Sequence, residues 1–394
     1  MNIQQENFIR MLRSVMTDSP CAPLQQPDFS EIFQIAQAHK MGAFAFCALA
    51  HLPPEQKPNE QIVAAWRRTA MQETALDANY TYAYHKLLEL FEQNEIFALP
   101  LKGFALKQVY PKPELRSVGD LDFLCHAEQR EKIHGCLCAY GYRAAKYDCG
   151  DEDTYYLPNG ICVEIHIGVR ADACSPETEA YLIGLEKCAL PCEGFRFVQR
   201  LPAEEHYIYI MLHLLKHFIG KGTGLRSILD IWTYRRQIPM DETRLTAAWK
   251  RFGLETFVST VEGLAEAWMS GTATTGVQAT LGEYIAGSGV YGNAQNRVNS
   301  MLTDAGAAVG GNKLKYICKR VFWPYRRMLY NYPVLKKAPV LLPAFWVHRL
   351  WSALRHKPKK VSNEFRMINE YNAEDTNVML RLRRELGLQT TRKI

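Results

Sequence analysis

The chain has 394 residues, of which 47% are hydrophobic and 22% are charged, and its formal net charge is +6. This composition is typical of a globular protein of about two to three domains. No stretch approaches the roughly 18 uninterrupted apolar residues of a membrane-spanning helix, and the first residues lack the pattern of a secretory signal. Eleven cysteines without a CxxC pair predict reduced thiols. We therefore expect a cytoplasmic protein with no transmembrane segment.

The charge is distributed unevenly along the chain. Residues 311–394 carry 19 Lys and Arg against 5 Asp and Glu, a balance of +14, so the first 310 residues carry −8. The basic C-terminal region predicts either an anionic partner or a solvated helical face. Interleaved aromatic residues between 313 and 360 fit a nucleic-acid or membrane surface. They also fit an aromatic helical core with a solvated rim, which is the arrangement that we expect.

The predicted elements start with a helical N-terminal segment, residues 1–95. Residues 59–99 contain no Gly or Pro and place apolar residues at helical spacing, which predicts one long helix. From residue 96 short apolar runs are bounded by turns, which predicts an α/β domain over residues 96–200. Pro100 within the first run fits an edge strand or a strand end. Further strands are predicted within 119–125, 142–147, 154–158 and 161–167.

Helical spacing returns after about residue 200. It predicts a helical domain over residues 201–310 that completes a cleft with the α/β domain. Residues 311–394 are predicted to form a basic, aromatic-rich helical region, with a final charged helix over residues 364–386. The fold class is therefore α+β, in which a mixed sheet is flanked by a helical N-terminal segment and a helical C-terminal half.

Two aspartates, Asp120 and Asp122, alternate with apolar residues in the second predicted strand. Alternation places both carboxylates on one face of the sheet, where they repel unless a cation or a proton lies between them. Replacing both by Asn is therefore expected to leave thermal stability equal or higher. Asp151-Glu152-Asp153 has the same spacing, but its surroundings indicate a solvated loop.

The strand around Glu164 offers a third carboxylate. Its apolar residues form one face, and Cys162, Glu164 and His166 form the other. If this strand neighbours the strand of Asp122, Glu164 joins the same polar face. Three carboxylates suit two magnesium ions, because magnesium prefers oxygen ligands.

Cationic residues precede the aspartates. Lys102 and Gly103 lie between a predicted strand and a helix, where backbone N–H groups can hold phosphate. Lys102 can reach a phosphate, Gly103 allows a close turn, and Arg116 can bind phosphate through two N–H groups. These residues predict phosphate binding next to the carboxylates.

A second group of polar residues lies in the helical half. His213 and His217 share one helix face, and we expect one to pack and one to line the cleft. Arg226 and Asp230 are expected to pair with each other. The loop at 220–224 does not match a Walker phosphate loop and predicts a helix-to-helix connection.

Taken together, these motifs resemble a bacterial family of uncharacterised nucleotidyltransferases in the DNA polymerase β-like superfamily. The resemblance covers about residues 90–350. Its motif residues are Lys102, Gly103, Arg116, Asp120, Asp122, Glu164 and His166. It implies a polymerase β-like nucleotidyltransferase fold in which His166, and His213 and Asp230 of the helical half, join the phosphate-binding or nucleotide-binding residues.

This resemblance implies a reaction that moves a nucleoside monophosphate from a triphosphate, with ATP expected, to an acceptor hydroxyl. Catalytic Asp120, Asp122 and Glu164 are then the ligands of two Mg²⁺ ions, with Mn²⁺ as an alternative. Gly103 is followed by Phe104, whereas the superfamily usually has Ser at this position. The acceptor stays open among a small molecule, a protein and an RNA. The other reading is a non-catalytic nucleotide-binding relative in a polysaccharide pathway.

Overall fold

The computed structural model describes residues 1–169, 175–220, 222–290, 320–356 and 373–388, together with positions 292, 317, 318, 358, 359, 362, 363 and 366. The helices are α1 (Ile3–Met16), α2 (Phe29–Ala38), α3 (Gly42–Ala48), α4 (Glu60–Gln93), α5 (Phe104–Lys107), α6 (Arg130–Tyr140), α7 (Pro176–Ile183), α8 (Ala203–Gly220), α9 (Leu225–Gln237), α10 (Glu242–Phe252), α11 (Glu255–Ser270), α12 (Gly276–Ala286), α13 (Tyr325–Asn331), α14 (Leu342–His356) and α15 (Ala373–Glu385). The strands are β1 (Ala98–Pro100), β2 (Leu121–Cys125), β3 (Arg143–Lys146), β4 (Glu152–Tyr156), β5 (Cys162–His166), β6 (Leu190–Pro191) and β7 (Gln199–Arg200).

Five strands form a mixed sheet in the order β1-β2-β5-β4-β3, and β6 and β7 form a separate pair. The central strands β2 and β5 run parallel, whereas the other neighbouring pairs of the five-stranded sheet are antiparallel. Pro100 ends the outermost strand β1, where a missing backbone N–H disturbs the ladder least. The structure therefore confirms the predicted α+β fold with a mixed sheet.

The two faces of this sheet differ in chemistry. Leu121, Phe123 and Ile165 point to one face and are buried in a core that includes Phe91 of α4 and Leu137 of α6. Alternation directs the residues between them to the opposite face, which lies towards the helical half. One face of the sheet is therefore a hydrophobic support, and the other is free to carry polar groups.

A second core joins the N-terminal helices to the helical half. It includes Phe8 of α1, Phe44 of α3, Tyr207 of α8, Ile228 of α9 and Phe257 of α11. Since α8 and α9 belong to this core, a large hydrophobic mass fixes their position relative to the sheet. The limits of the four predicted segments stay a prediction.

The C-terminal region differs from the expected aromatic core. Although Met328 and Leu335 are buried, α14 contains no buried residue. The last described helix, α15, begins at Ala373, and part of the predicted helix over 364–386 lies outside the described residues. Within the described part of the chain, no helix combines the length and apolar content that crossing a bilayer requires.

Candidate active site

Asp122 and Glu164 face each other across the two central strands. The parallel pairing of β2 with β5 puts them at the same register position, and both lie on the polar face. His166 follows two residues after Glu164 and therefore lies on the same face. Ligand atoms of Asp122, Glu164 and His166 lie within 4.8 Å of one another. Glu164 can share a face with Asp122 only if their strands are neighbours in the sheet, and the structure meets this condition.

The Asp122 side chain is fully buried, at 0% exposure, and is held by two groups. Its Oδ1 lies 3.2 Å from Lys102 Nζ and accepts a hydrogen bond from His166 Nε2 at 3.0 Å. Burial opposes ionisation, but the Lys102 charge and the His166 hydrogen bond outweigh it and hold the pKa of Asp122 well below its usual range. Oδ2 is buried without a hydrogen-bond partner. Asp122 thus has one carboxylate oxygen without a hydrogen bond inside a group of possible metal ligands.

The pKa values of Glu164 and Asp120 shift in the opposite direction to the pKa of Asp122. Burial, followed by the charges of Asp122 and Asp120, raises the pKa of Glu164 to about 7. Burial and the charge of Asp122 also raise the pKa of Asp120. Repulsion within the cluster therefore falls on Glu164 and Asp120, while Asp122 is stabilised as an anion. We therefore expect that replacing Asp122 alone destabilises the protein, while the effect of replacing both aspartates stays a prediction.

A cavity of about 510 Å³ opens over this face of the sheet. That volume lies within the range of small-molecule sites. Eight of the nine predicted site residues line it: Lys102, Gly103, Arg116, Asp120, Glu164, His166, His213 and Asp230. The ninth, Asp122, lies beneath the cavity, in contact with Lys102 and His166. Asp120 borders the cavity but does not belong to the group of ligand atoms within 4.8 Å.

The turn at Gly103 has the shape that the sequence predicted, but the helix after it is short. Gly103 has φ 51° and ψ −92°, which is unfavourable for residues with a Cβ. Helix α5 has only four residues, so its dipole contributes little to anion binding. Phe104 stacks on Tyr84 with ring centroids 3.9 Å apart. The turn therefore offers the Lys102 side chain rather than a hydroxyl.

Arg116 is buried, and each of its guanidinium nitrogens donates to protein. Nε and Nη2 bond both oxygens of Asp230 at 2.7 and 2.8 Å, and Nη1 donates to the Gly103 carbonyl at 2.8 Å. Asp230 also accepts from the Tyr110 hydroxyl at 2.6 Å. The sequence paired Asp230 with Arg226, but Arg226 donates to the Ser117 carbonyl at 2.8 Å. Arg116 therefore fastens the Gly103 turn to α9.

His213 and His217 both line the cavity, where their Nε2 atoms lie 3.0 Å apart and one ring donates to the other. Burial and the charge of Lys102 lower the pKa of His213 well below its ordinary value. Sequence reasoning missed Tyr209, which lines the cavity one turn before His213. Extending the i, i+4 spacing by one turn would have found it.

The acidic run at 151–153 is not the solvated loop that we expected. Glu152 and Asp153 lie in β4, and Asp153 is 1% exposed. Arg130 donates to both Asp153 oxygens, at 2.6 and 2.7 Å. Charge and spacing alone predicted that Asp153 is exposed. The arginine that neutralises it lies 23 residues earlier in the sequence, so the local pattern does not reveal the pair.

Comparison with known proteins agrees with this geometry. A family model described as an uncharacterised nucleotidyltransferase matches residues 25–270, which is more than half of the chain. The match includes the five-stranded sheet, helices α8 and α9, and every cavity-lining residue except Val290. It starts earlier and ends earlier than the range expected from the motifs. No curated protein and no solved structure matches the chain. The chain belongs to this family of uncharacterised nucleotidyltransferases.

Proposed function

We propose that the protein is a magnesium-dependent nucleotidyltransferase that moves a nucleoside monophosphate from a triphosphate to an acceptor hydroxyl and releases pyrophosphate. The observation that carries the proposal is the pairing of Asp122 with Glu164 at one register position beneath a nucleotide-sized cavity. ATP is the nucleotide that we expect, and the cytoplasmic location stays a prediction.

The residues present fit a divalent ion. The buried Asp122 Oδ2 has no hydrogen-bond partner, and Glu164 and His166 present further donors close by. Asp122, Glu164 and Asp120 would hold Mg²⁺, since hard cations prefer oxygen. Mn²⁺ is a suitable alternative, because it also accepts carboxylate oxygens. When bound, the ions neutralise phosphate charge and make the acceptor hydroxyl more acidic.

Glu164 is the residue that we assign to proton transfer. Glu164 lines the cavity and lies opposite Asp122, and a bound cation would keep its carboxylate ionised and able to accept a proton. The acceptor oxygen forms a bond to the α-phosphorus, and the bond from that phosphorus to the bridging oxygen breaks. Pyrophosphate leaves with the bonding electrons, and the hydroxyl proton passes to Glu164 and then to solvent.

Lys102 is the cation that we assign to the triphosphate. Its side chain is 19% exposed and lines the cavity, while its ammonium contacts Asp122. We propose that Lys102 exchanges this carboxylate for a phosphate oxygen when substrate binds. Arg116 and Asp230 are assigned a positioning role, because their mutual hydrogen bonds hold the Gly103 turn against α9.

A non-catalytic nucleotide binder is the alternative that one observation favours. Phe104 occupies the position where the superfamily usually has a serine, and it is buried against Tyr84. A binder and an enzyme both gain stability from a nucleotide, but only an enzyme releases pyrophosphate. Transfer to protein or RNA is separated from transfer to a small molecule by treating the labelled product with protease or RNase.

The test begins with melting temperatures in each of the four triphosphates, with Mg²⁺ or with EDTA. Pyrophosphate release is then measured in a heat-treated cell extract, which supplies acceptor hydroxyls, for wild type, Glu164→Gln and the control Glu128→Gln; the Glu128 side chain is 77% exposed. We expect magnesium-dependent stabilisation by ATP, release by wild type and Glu128→Gln, and loss of release in Glu164→Gln. Stabilisation without release in any variant would support the binder, and no response to any triphosphate would refute both.

A further inference from the structure

The outward face of α14 carries an apolar stripe. Val347, Trp351 and Leu354 lie at i, i+4 and i+7, and they are 68%, 54% and 59% exposed. Val340, which lies in the turn two residues before the helix begins, is 83% exposed. Scattered exposed apolar residues are common, but a continuous row along one helix face indicates an interaction surface.

The inner face of α14 is fixed to residues 320–323. Trp346 Nε1 donates to the Trp323 carbonyl at 2.9 Å. Arg349 donates to the carbonyls of Arg320 and Val321 at 2.7 and 2.9 Å. The Arg349 guanidinium also lies 4.1 Å from the centre of the Trp323 ring. These contacts set the rotation of the helix, so the apolar stripe is held towards solvent.

The sequence that contains the stripe is strongly basic. Residues 305–363 contain 13 Lys and Arg and no Asp or Glu. Among the described ones, Lys337, Arg355 and Lys359 are exposed, and the Arg355 guanidinium lies 5.2 Å from the centre of the Trp351 ring. A partner that complements this surface must be anionic and must also accept aliphatic side chains.

We propose that the outward face of α14 and its neighbouring basic residues dock the protein on an anionic lipid bilayer. Aliphatic Val347 and Leu354 cannot stack on nucleic-acid bases, but they can enter the boundary between headgroups and acyl chains. A helix of 15 residues is about 22 Å long, which suits lying in the interface rather than spanning the bilayer. Arg355 and Lys337 meet the lipid phosphates. This docking surface does not depend on the proposed transfer reaction.

Lys336 links this surface to the catalytic part of the chain. Its ammonium lies 3.1 Å from Asp148, in the connection between β3 and β4. Asp151 and Glu152, which follow in the same connection and in β4, line the cavity. Docking through α14 therefore brings the cavity-bearing part of the protein to the bilayer.

Vesicle co-sedimentation of the full chain tests the docking surface. Vesicles of phosphatidylcholine alone are compared with vesicles that also contain phosphatidylglycerol, at low and high salt. We expect wild type to sediment only with the anionic vesicles, with a blue shift of tryptophan fluorescence and weaker binding at high salt. The double variant Val347→Gln with Leu354→Gln should bind at least about tenfold more weakly. Arg355→Gln should bind about fivefold more weakly.

The matched control is Ile183→Gln on α7, which changes an apolar side chain that is 60% exposed on another helix. It should bind vesicles as wild type does, and all variants should keep the melting temperature of wild type. Equal binding by the double variant, equal binding to neutral vesicles, or no binding would overturn the proposal. One further outcome would overturn the proposal in favour of nucleic acid. In that outcome single-stranded RNA displaces wild type from the vesicles, and this effect of RNA is lost in the double variant.

Discussion

Replacing Glu164 by Gln should stabilise the metal-free protein above neutral pH. Burial and the charges of Asp122 and Asp120 disfavour the ionised carboxylate and raise the pKa of Glu164 to about 7. In the unfolded chain the same group has its ordinary pKa of 4.5. The folded protein therefore binds more protons between these values, and wild type loses stability as the pH rises through that window. Glutamine carries no charge, so the variant avoids this loss.

The magnitude follows from the shift. Each pKa unit corresponds to about 1.4 kcal/mol, so a rise from 4.5 to about 7 corresponds to roughly 3 kcal/mol. The side chain is 24% exposed, and solvent screening reduces the effect to about 2 kcal/mol. At pH 8 the full difference is expected, and at pH 4 it should vanish, because Glu164 is then protonated in both states.

The assay is urea unfolding of wild type, Glu164→Gln and the control Glu128→Gln in EDTA at pH 4, 6 and 8. The control carboxylate is 77% exposed, so its replacement should change the free energy of unfolding little at any of these pH values. The reasoning is refuted if Glu164→Gln is no more stable than wild type at pH 8, or if its advantage is the same at pH 4.

Other substitutions in and around the cavity lower stability or weaken ligand binding. Asp122→Asn should destabilise the metal-free protein by about 3–5 kcal/mol, because it leaves the Lys102 charge half-buried without its counterion. Urea unfolding at pH 8 measures this loss, and an unchanged unfolding midpoint would contradict it. Mg²⁺ should raise the melting temperature of wild type but not of Glu164→Gln, and an equal rise in both would remove Glu164 from the metal site. Arg116→Lys should lower the free energy of unfolding by about 2–4 kcal/mol, because lysine cannot donate to both Asp230 oxygens and to the Gly103 carbonyl. A loss below about 1 kcal/mol in the same urea assay would argue against the positioning role. Lys102→Met should raise KM for the triphosphate in the pyrophosphate assay while leaving the protein folded, and an unchanged KM would exclude the phosphate contact.

Local patterns predicted the face of the sheet that carries the carboxylates. Period-two alternation assigned Glu164 and His166 to the polar side of their strand, and the parallel register of β2 and β5 then placed Glu164 opposite Asp122. The face that each side chain occupies depends only on neighbours in the sequence and on the pleat, whereas the pairing of β2 with β5 entered the prediction as a condition. The faces could be predicted without coordinates.

Partnerships between distant parts of the chain could not be predicted in this way. Asp230 lies 114 residues after Arg116, and helix spacing suggested a nearer cation. Asp153 looked solvated because its partner Arg130 lies in a different element. The amphipathic pattern of α14 showed that the helix has an apolar side, but only the packing of its other side shows that this side faces solvent.

The most direct test of the account is the number of Mn²⁺ ions that the protein binds together with a non-hydrolysable triphosphate, measured by electron paramagnetic resonance. We predict two ions per chain for wild type and for Glu128→Gln, and fewer for Glu164→Gln. The same number in Glu164→Gln as in wild type, or no ion bound by wild type above the nucleotide alone, would contradict a metal site formed by Asp122 and Glu164.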